Sequence, residues 1–257
     1  MKTKIVLSVL LVILFASTAL AHDFWTGAQP AQNDQPLTVI LGFGHNFPVG
    51  EEIKAEQIGP RYNPLRLIGS SGDVTLKNGP EVKLFHTEQP LPKGVYLTLA
   101  STVPSFRSAT PNGSVAKPKN EVPGATGCRF SSSFAKGVLN IDGATDAALI
   151  VKPVGHDLEI VPQVNPATVK VGQKLPVKIL LKGRPLPGAR LEAYFAGFSD
   201  EDSYAFVGQA DQQGLINIIP LKGGQWLAKV SESRPYPETG RCDTENFNAS
   251  LTFTISD

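Results

Sequence analysis

The sequence is poor in methionine, cysteine, histidine and surplus charge. Its 257 residues include one methionine, at position 1, two cysteines and four histidines. The formal net charge of +1 gives no electrostatic reason to expect binding to nucleic acid or to an anionic membrane surface. Phosphate-binding glycine loops, dinucleotide fingerprints and the G-x-S-x-G nucleophile motif are absent. The composition therefore argues against a nucleic-acid-binding protein, and the sequence contains no recognisable catalytic motif.

Long helical patterns are also missing. The 24 glycines and 21 prolines interrupt the chain often enough to exclude a helical bundle. Short runs in which apolar residues alternate with other residues dominate instead, and turn residues bound each run. The clearest runs are Leu37–Phe43, Val95–Leu99, Val177–Leu181, Leu191–Phe195, Trp226–Val230 and Leu251–Ile255. This pattern predicts an all-β protein built from antiparallel β-sandwich sheets.

Two segments depart from the alternation. Phe130, Phe134 and Val138 follow a helical spacing and predict a helix of two or three turns. Residues 103–127 are rich in Pro, Ser, Lys and Gly and predict a long loop. We expect no other helix of comparable length.

The chain is expected to divide near residue 155. From Leu158 onward about 100 residues carry a self-contained series of strand patterns, which is the size of one immunoglobulin-like domain. We therefore expect an N-terminal β-sandwich domain at residues 22–155 and a C-terminal immunoglobulin-like β-sandwich domain at residues 156–257.

Residues 1–21 are predicted to be a signal peptide. Lys2 and Lys4 form a basic start, an eleven-residue apolar run follows, and Ala19-Leu20-Ala21 is typical of a cleavage site. The apolar run is too short to span a bilayer comfortably, so no membrane insertion is expected after cleavage. Cleavage would make His22 the first residue of an exported chain. The expected compartment is the periplasm, and secretion is the alternative.

Export would place the two cysteines in an oxidising compartment. A bond between Cys128 and Cys242 would close a loop of more than a hundred residues and attach the middle of the chain to its last strand. Two buried free thiols are the alternative. A metal site based on cysteine requires closer spacing than these two residues have.

Three of the four histidines lie where metal ligands are expected. As the N-terminal residue, His22 would offer its α-amine and its ring Nδ1 to one cation, which is a chelate from a single residue. His45 follows a predicted strand, and His156 lies at the predicted domain junction. Both follow a glycine that lets the backbone turn sharply. Together the three residues predict a metal site with four nitrogen donors, although His45 and His156 taken singly also fit loop residues bonded to a carbonyl.

The neighbouring aromatic residues and the fourth histidine have other expected roles. Phe24 and Trp25 are expected to pin the N-terminal strand onto the core and so to hold His22 in place, and a hydrophobic wall for the site is the alternative. His86 alternates with apolar neighbours and is expected to face solvent from a strand. The sequence leaves open whether His86 joins the metal site.

Six stretches along the chain carry a family resemblance. They are AHDFW at 21–25, GHNFP at 44–48, GHDLEIVP at 155–162, GRPLPGA at 183–189, ADQQG at 210–214 and GQWLAKV at 224–230. Together these stretches resemble the DUF4198 family. The resemblance implies an exported protein. Many members are encoded with nickel or cobalt uptake systems as an extracytoplasmic component, so the resemblance also implies a role with such a system. It also implies His22, His45 and His156 as the metal ligands.

Nitrogen donors suit Ni²⁺, Co²⁺, Cu²⁺ and Zn²⁺, and the general order of affinities favours copper. The resemblance favours Ni²⁺ or Co²⁺, with Zn²⁺ and Cu²⁺ as alternatives. We therefore expect a non-enzymatic periplasmic protein that captures Ni²⁺ or Co²⁺ and passes the ion to an inner-membrane uptake transporter. One alternative is a copper-dependent enzyme with a histidine brace, such as a polysaccharide oxygenase. Another is a metal-free carbohydrate-binding or adhesion sandwich.

Overall fold

The computed structural model describes residues 22–29, 35–198 and 203–257, and the predicted signal peptide lies outside the described residues. The described residues form eighteen strands and three short 3-10 turns, at Ala55–Gln57, Lys119–Glu121 and Pro166–Thr168. The strands are β1 (Asp23–Ala28), β2 (Thr38–Gly44), β3 (Arg66–Gly69), β4 (Gly72–Val74), β5 (Leu76–Asn78), β6 (Leu84–Thr87), β7 (Gly94–Ser101), β8 (Ser105–Thr110), β9 (Gly113–Val115), β10 (Gly127–Ile141), β11 (Leu158–Pro162), β12 (Leu175–Leu181), β13 (Arg184–Pro185), β14 (Arg190–Phe195), β15 (Phe206–Gln209), β16 (Leu215–Ile218), β17 (Gly224–Pro235) and β18 (Thr244–Ile255). The described part of the chain contains no helix with the length and hydropathy needed to span a bilayer.

The strands form three sheets. A four-stranded sheet has the order β1-β2-β6-β5, and a ten-stranded sheet has the order β15-β14-β17-β18-β10-β7-β3-β4, with β8 bonded to β10 and β9 to β8. A third sheet has the order β11-β12-β13, with β16 also bonded to β12. The pairing of β10 with β18 is parallel, whereas the other strand pairs are antiparallel. The predicted all-β sandwich fold is confirmed, and the six predicted runs lie in strands except for Leu37, which directly precedes β2.

The ten-stranded sheet lies between the other two sheets. On β7, Leu97 and Leu99 point into an apolar core that also contains residues of β11 and β12. Tyr96 and Ala100, on the opposite face of β7, point into a second core that contains residues of β1 and β2. The middle of the sheet is therefore buried on both faces, which explains why β7 is apolar along nearly its whole length.

The C-terminal part has the strand order of an immunoglobulin-like sandwich. Strands β11, β12 and β16 lie in one sheet, and β15, β14, β17 and β18 lie side by side in the other, around the fully buried Trp226. Strands from both sides of residue 155 nevertheless share the ten-stranded sheet, because β10 pairs with β18. The division into domains at residues 22–155 and 156–257 stays a prediction.

Two local predictions are wrong. The segment with helical spacing is the 15-residue strand β10. A spacing of four residues is also an even spacing, so Phe130, Phe134 and Val138 share one face of a strand as readily as one face of a helix. Residues 103–127, predicted as a loop, contain the hairpin of β8 and β9, and β8 extends the ladder of β10.

The structure confirms the disulfide between Cys128 and Cys242. Cys128 lies at the start of β10, and Cys242 lies two residues before β18. The intervening Asp243 strengthens the junction, because its carboxylate accepts a hydrogen bond of 2.7 Å from the Cys128 amide. The bond therefore joins the beginnings of two parallel strands, which no short turn can connect.

Replacing both cysteines, as Cys128→Ser with Cys242→Ser, is expected to lower the free energy of unfolding by about 2–5 kcal/mol, because the bridge closes a long loop in the unfolded chain. Urea denaturation of the oxidised wild type and of the double variant measures the difference. Equal midpoints would show that the bridge does not constrain the unfolded state.

Candidate metal centre

The pairing of β1 with β2 brings His22 next to His45. His22 directly precedes β1 and His45 directly follows β2. The two strands are antiparallel, and Asp23 pairs with Gly44 at that end of the ladder. The residue before one strand therefore lies opposite the residue after the other. The two imidazole rings have centroids 4.2 Å apart.

The loop after His45 adds a carboxylate to this pair. The Glu51 amide donates a hydrogen bond of 2.7 Å to the Phe43 carbonyl, which turns the loop back over the end of β2. Glu51 Oε2 lies 3.3 Å from His22 Nε2. Glu51 is not among the residues predicted from the sequence, although its position in the same short loop as His45, just after Gly50, is a signal that could have suggested it.

Gly44 makes room for this carboxylate. Its φ of 139° lies in a region that residues with a side chain rarely adopt. A Cβ at this position would lie 2.9 Å from Glu51 Cγ, closer than van der Waals contact allows. A glycine at the end of β2 is therefore required for both the backbone path and the position of Glu51.

His22, His45 and Glu51 each offer one ligand atom, and these atoms lie within 4.8 Å of one another. Ligands of a common first-row ion at about 2.1 Å from the metal lie roughly 3–4 Å apart. His22 and Glu51 are exposed, so we expect small rotations of their side chains to bring the three atoms to that separation. The cluster has the donor types for a divalent first-row ion, namely two imidazoles and one carboxylate.

Side chains on β14 and β17 hold β1 and therefore His22. The Asp23 carboxylate accepts hydrogen bonds from Lys229 Nζ at 2.8 Å and from the Tyr194 hydroxyl at 2.6 Å. Burial lowers the pKa of Lys229, but the Asp23 carboxylate and the hydrogen bonds to this amine raise it by more, so the amine stays charged. Trp25 is buried against Gly42, where any Cβ would collide with the indole. The predicted anchoring role of Phe24 and Trp25 is thus confirmed by their burial.

An aromatic ring orients His22. The His22 imidazole stacks on Phe43 with a centroid distance of 4.7 Å and an interplanar angle of 4°. The guanidinium carbon of Arg61 also lies 4.7 Å from the centroid of Phe43. Phe43 therefore contacts both the candidate ligand and an exposed cation.

The structure does not bring His156 to this cluster. The His156 ring packs against Phe134, at a centroid distance of 5.2 Å, and Phe134 borders the core shared with β11 and β12. His22 directly precedes β1, and β1 covers the opposite face of the ten-stranded sheet. The sheet separates His156 from His22 and His45, and the third candidate ligand beside these two histidines is Glu51 instead.

A buried ion pair holds the segment around His156. Lys136 Nζ lies 2.7 Å from Glu159 Oε1, and the two side chains are 1% and 2% exposed. The Glu159 carboxylate also accepts hydrogen bonds from the amides of Val154 and Gly155. Burial lowers the pKa of Lys136, against the opposing effect of Glu159. The pair fixes the turn that carries His156 beneath the sheet.

His86 also lies outside the cluster. It is half-buried on β6 rather than facing solvent freely, and its Nδ1 lies 3.0 Å from the Thr38 hydroxyl. A cleft of about 870 Å³ is lined by Trp25, Phe47 and Pro48 among others and by no described histidine. The candidate metal centre is therefore a surface cluster separate from this cleft.

Replacing Gly44→Ala is expected to displace Glu51 from His22 and to lower the free energy of unfolding by about 1–3 kcal/mol through backbone strain. Gly59→Ala is the matched control, because Gly59 also has a positive φ but a Cβ added there would meet no atom within 4 Å. Imidazole resonances of His22 in NMR spectra should shift in the first variant and stay in place in the second. Unshifted resonances in Gly44→Ala would contradict the role of Gly44.

Acid should weaken the fold through His156. Burial lowers the pKa of His156 to about 4, with Lys136 and Arg66 acting in the same direction and Glu159 opposing them. As the pH falls from about 6.5 towards 4, the unfolded chain gains a proton on His156 that the folded chain does not, so stability declines by up to about 3 kcal/mol. His156→Asn should flatten the slope of unfolding free energy against pH in this window. A slope equal to that of the wild type would contradict the assignment.

No curated protein matches the chain. Among solved structures, the FN1–FN3 domains of chicken CNTN1 match with 10% identity and a TM-score of 0.20. That match covers 88% of this chain, and this chain spans 66% of the CNTN1 chain. The family model described as a domain of unknown function (DUF4198) matches residues 19–234, a range that includes His22, His45 and Glu51. The chain belongs to the DUF4198 family.

Proposed function

We propose that this chain is a periplasmic, non-enzymatic metal-binding protein. It captures Ni²⁺ or Co²⁺ at His22, His45 and Glu51 and passes the ion to an inner-membrane uptake transporter. The observation that carries the proposal is the convergence of these three side chains within 4.8 Å. The resemblance of the chain to DUF4198 members that are encoded with nickel or cobalt uptake systems favours these two ions over Zn²⁺ and Cu²⁺.

Processing at the predicted cleavage site completes the donor set. With His22 as the first residue, its α-amine and Nδ1 bind one ion as a chelate, and His45 and Glu51 add one donor each. This chelate requires the imidazole to turn, because Nε2 is the nitrogen that lies beside Glu51 in the structure. Both cysteines are in the disulfide, and the chain after residue 21 contains no methionine, so sulfur ligands are excluded. Nitrogen and oxygen donors suit divalent ions of intermediate softness.

The solvent exposure of the site is suited to an ion that is transferred to another protein. The side chains of His22 and Glu51 are 39% and 49% exposed. A structural metal is normally enclosed by a full set of protein ligands, whereas this cluster is open on one side. An open site lets a transporter subunit supply competing ligands while the ion is still bound.

The adjacent rings of His22 and His45 also favour a second candidate, a copper enzyme with a histidine brace. Such a site uses the N-terminal amine and two imidazoles, all of which the processed chain would hold near one point. Oxygen consumption by the Cu²⁺-loaded protein in the presence of a reductant distinguishes this candidate. We favour transport because Glu51 adds a fourth, anionic donor on the exposed side.

Calorimetry with Ni²⁺, Co²⁺, Zn²⁺ and Cu²⁺ on protein that begins at His22 is expected to show one tight site. Acetylation of the His22 amine, His45→Asn and Glu51→Gln should each weaken binding of Ni²⁺ at least about tenfold, since even indirect partners of metal ligands contribute 10–100-fold. The affinity for Ni²⁺ should also decrease as the pH is lowered, because protons compete with the ion for the imidazole nitrogens.

His86→Asn is the control for this experiment, because it removes a half-buried histidine outside the cluster. Its Ni²⁺ affinity should equal that of the wild type. Absence of binding, with no divalent ion raising the thermal stability of the wild type, would leave the metal-free sandwich as the remaining candidate.

A further inference from the structure

The candidate metal centre has a positively charged neighbour that the ligand set does not use. Arg61 is exposed, and among the described residues no carboxylate lies within ion-pair distance of its guanidinium. Its guanidinium carbon and the His22 ring each lie 4.7 Å from the centroid of Phe43. The two groups can therefore be no farther apart than twice that distance.

The backbone holds Arg61 in this place. Its amide donates to the Gln57 carbonyl at 2.9 Å, and its carbonyl accepts from the Val103 amide at 2.8 Å. The next residue, Tyr62, is fully buried and bridges to Thr102. The main chain of Arg61 is therefore fixed, and the contact of the guanidinium with Phe43 restricts the rotamers of the side chain.

With an ion bound, the candidate metal centre would have open coordination positions and a net positive charge, and both favour binding of an anion. His22, with its amine, His45 and Glu51 supply four donor atoms, fewer than the six that Ni²⁺ and Co²⁺ take in octahedral complexes. Glu51 is the one anionic donor, so the ion and Arg61 together leave a surplus of two positive charges. A guanidinium binds a carboxylate in a two-pronged geometry that a point charge does not offer.

A polar sheet face adjoins this end of β1. Ser250 and Thr252 donate hydroxyl hydrogen bonds to the carbonyls of Phe24 and Thr26, so β1 runs alongside β18 in the same direction. Two residues earlier, Asn248 corresponds in position to His22. Its amide oxygen accepts from the Ser231 hydroxyl at 2.8 Å. Its amide nitrogen donates to the Ser133 hydroxyl at 3.5 Å. The face of β18 that continues beyond this end of β1 is therefore polar rather than apolar.

We propose that the protein takes its metal ion as a complex with a small carboxylate chelator, whose free carboxylate binds Arg61 while two of its oxygens complete the coordination of the ion. This inference rests on the proposed function and specifies the form of the cargo. The protein exchanges some of the chelator's bonds to the ion for bonds from His22, His45 and Glu51, and retains the chelator as a co-ligand.

Equilibrium dialysis with radiolabelled citrate tests this inference on protein that begins at His22. The wild type is expected to retain about one citrate per chain when one equivalent of Ni²⁺ is present and none without the metal. Arg61→Gln should lower the affinity for citrate in the presence of Ni²⁺ about 10–100-fold, the effect of removing a charged hydrogen-bonding partner. Its affinity for Ni²⁺ alone should stay within about twofold of the wild type.

Arg107→Gln is the matched control, because Arg107 is an exposed arginine on β8 that donates to Ser114. This variant should retain citrate as the wild type does. Binding of Ni²⁺ alone without retention of citrate would overturn the inference and leave the proposed function intact. Failure to bind Ni²⁺ in any form would overturn both. Equal weakening of Ni²⁺ and citrate binding in Arg61→Gln would assign Arg61 a structural role through Phe43 and also overturn the inference.

Discussion

The pairing of β1 with β2 is the interaction on which the candidate metal centre depends. His22 lies outside the ladder, and its place beside His45 follows from the pairing of Asp23 with Gly44. β1 is an edge strand, so one side of its backbone lacks a ladder partner. Hydroxyl groups on β18 bond two of its carbonyls, and the Asp23 carboxylate bonds Lys229 on β17. The last strands of the chain therefore hold the first one, and through it the ligands, in place.

The same layered arrangement explains why the third predicted ligand lies elsewhere. The ten-stranded sheet is covered on both faces, and successive side chains of β10 point to opposite sides. Lys136 points towards β11 and pairs with Glu159, which holds the turn bearing His156 on that side. Ala135, the preceding residue, points towards the core beneath β1. Breaking the Lys136–Glu159 pair would leave an uncompensated buried charge, which commonly costs about 3–5 kcal/mol. His156 is thus fixed on the face opposite His22.

Much of the fold was predictable from period-two patterns, and the failures have identifiable causes. The pattern of β10 predicts a helix wrongly, because a spacing of four residues fits both one face of a helix and one face of a strand. Burial on both faces of β10 removes the alternation that would distinguish the two. The proximity of His22 to His45 could be expected from the sequence, since one precedes a strand and the other follows one, and antiparallel pairing of the two strands brings such residues together. The position of Glu51 was not predictable in this way, because its approach depends on the turn at Gly44 and on the hydrogen bond from its amide to Phe43. The position of His156 depends on sheet order, which no local pattern in the sequence encodes.

The proposed ligand set would make the affinity for the metal ion depend on export and cleavage of the chain. The side chains of His22, His45 and Glu51 are present in the unprocessed chain, but the α-amine of His22 becomes available only when residues 1–21 are removed. Without that amine, His22 contributes a single imidazole nitrogen and the chelate ring is lost. The remaining ligands are two imidazoles and an exposed carboxylate, which protons and water displace more easily than a chelate. On the proposed function, the chain therefore gains its full affinity only after cleavage, in the compartment from which the transporter draws its ions.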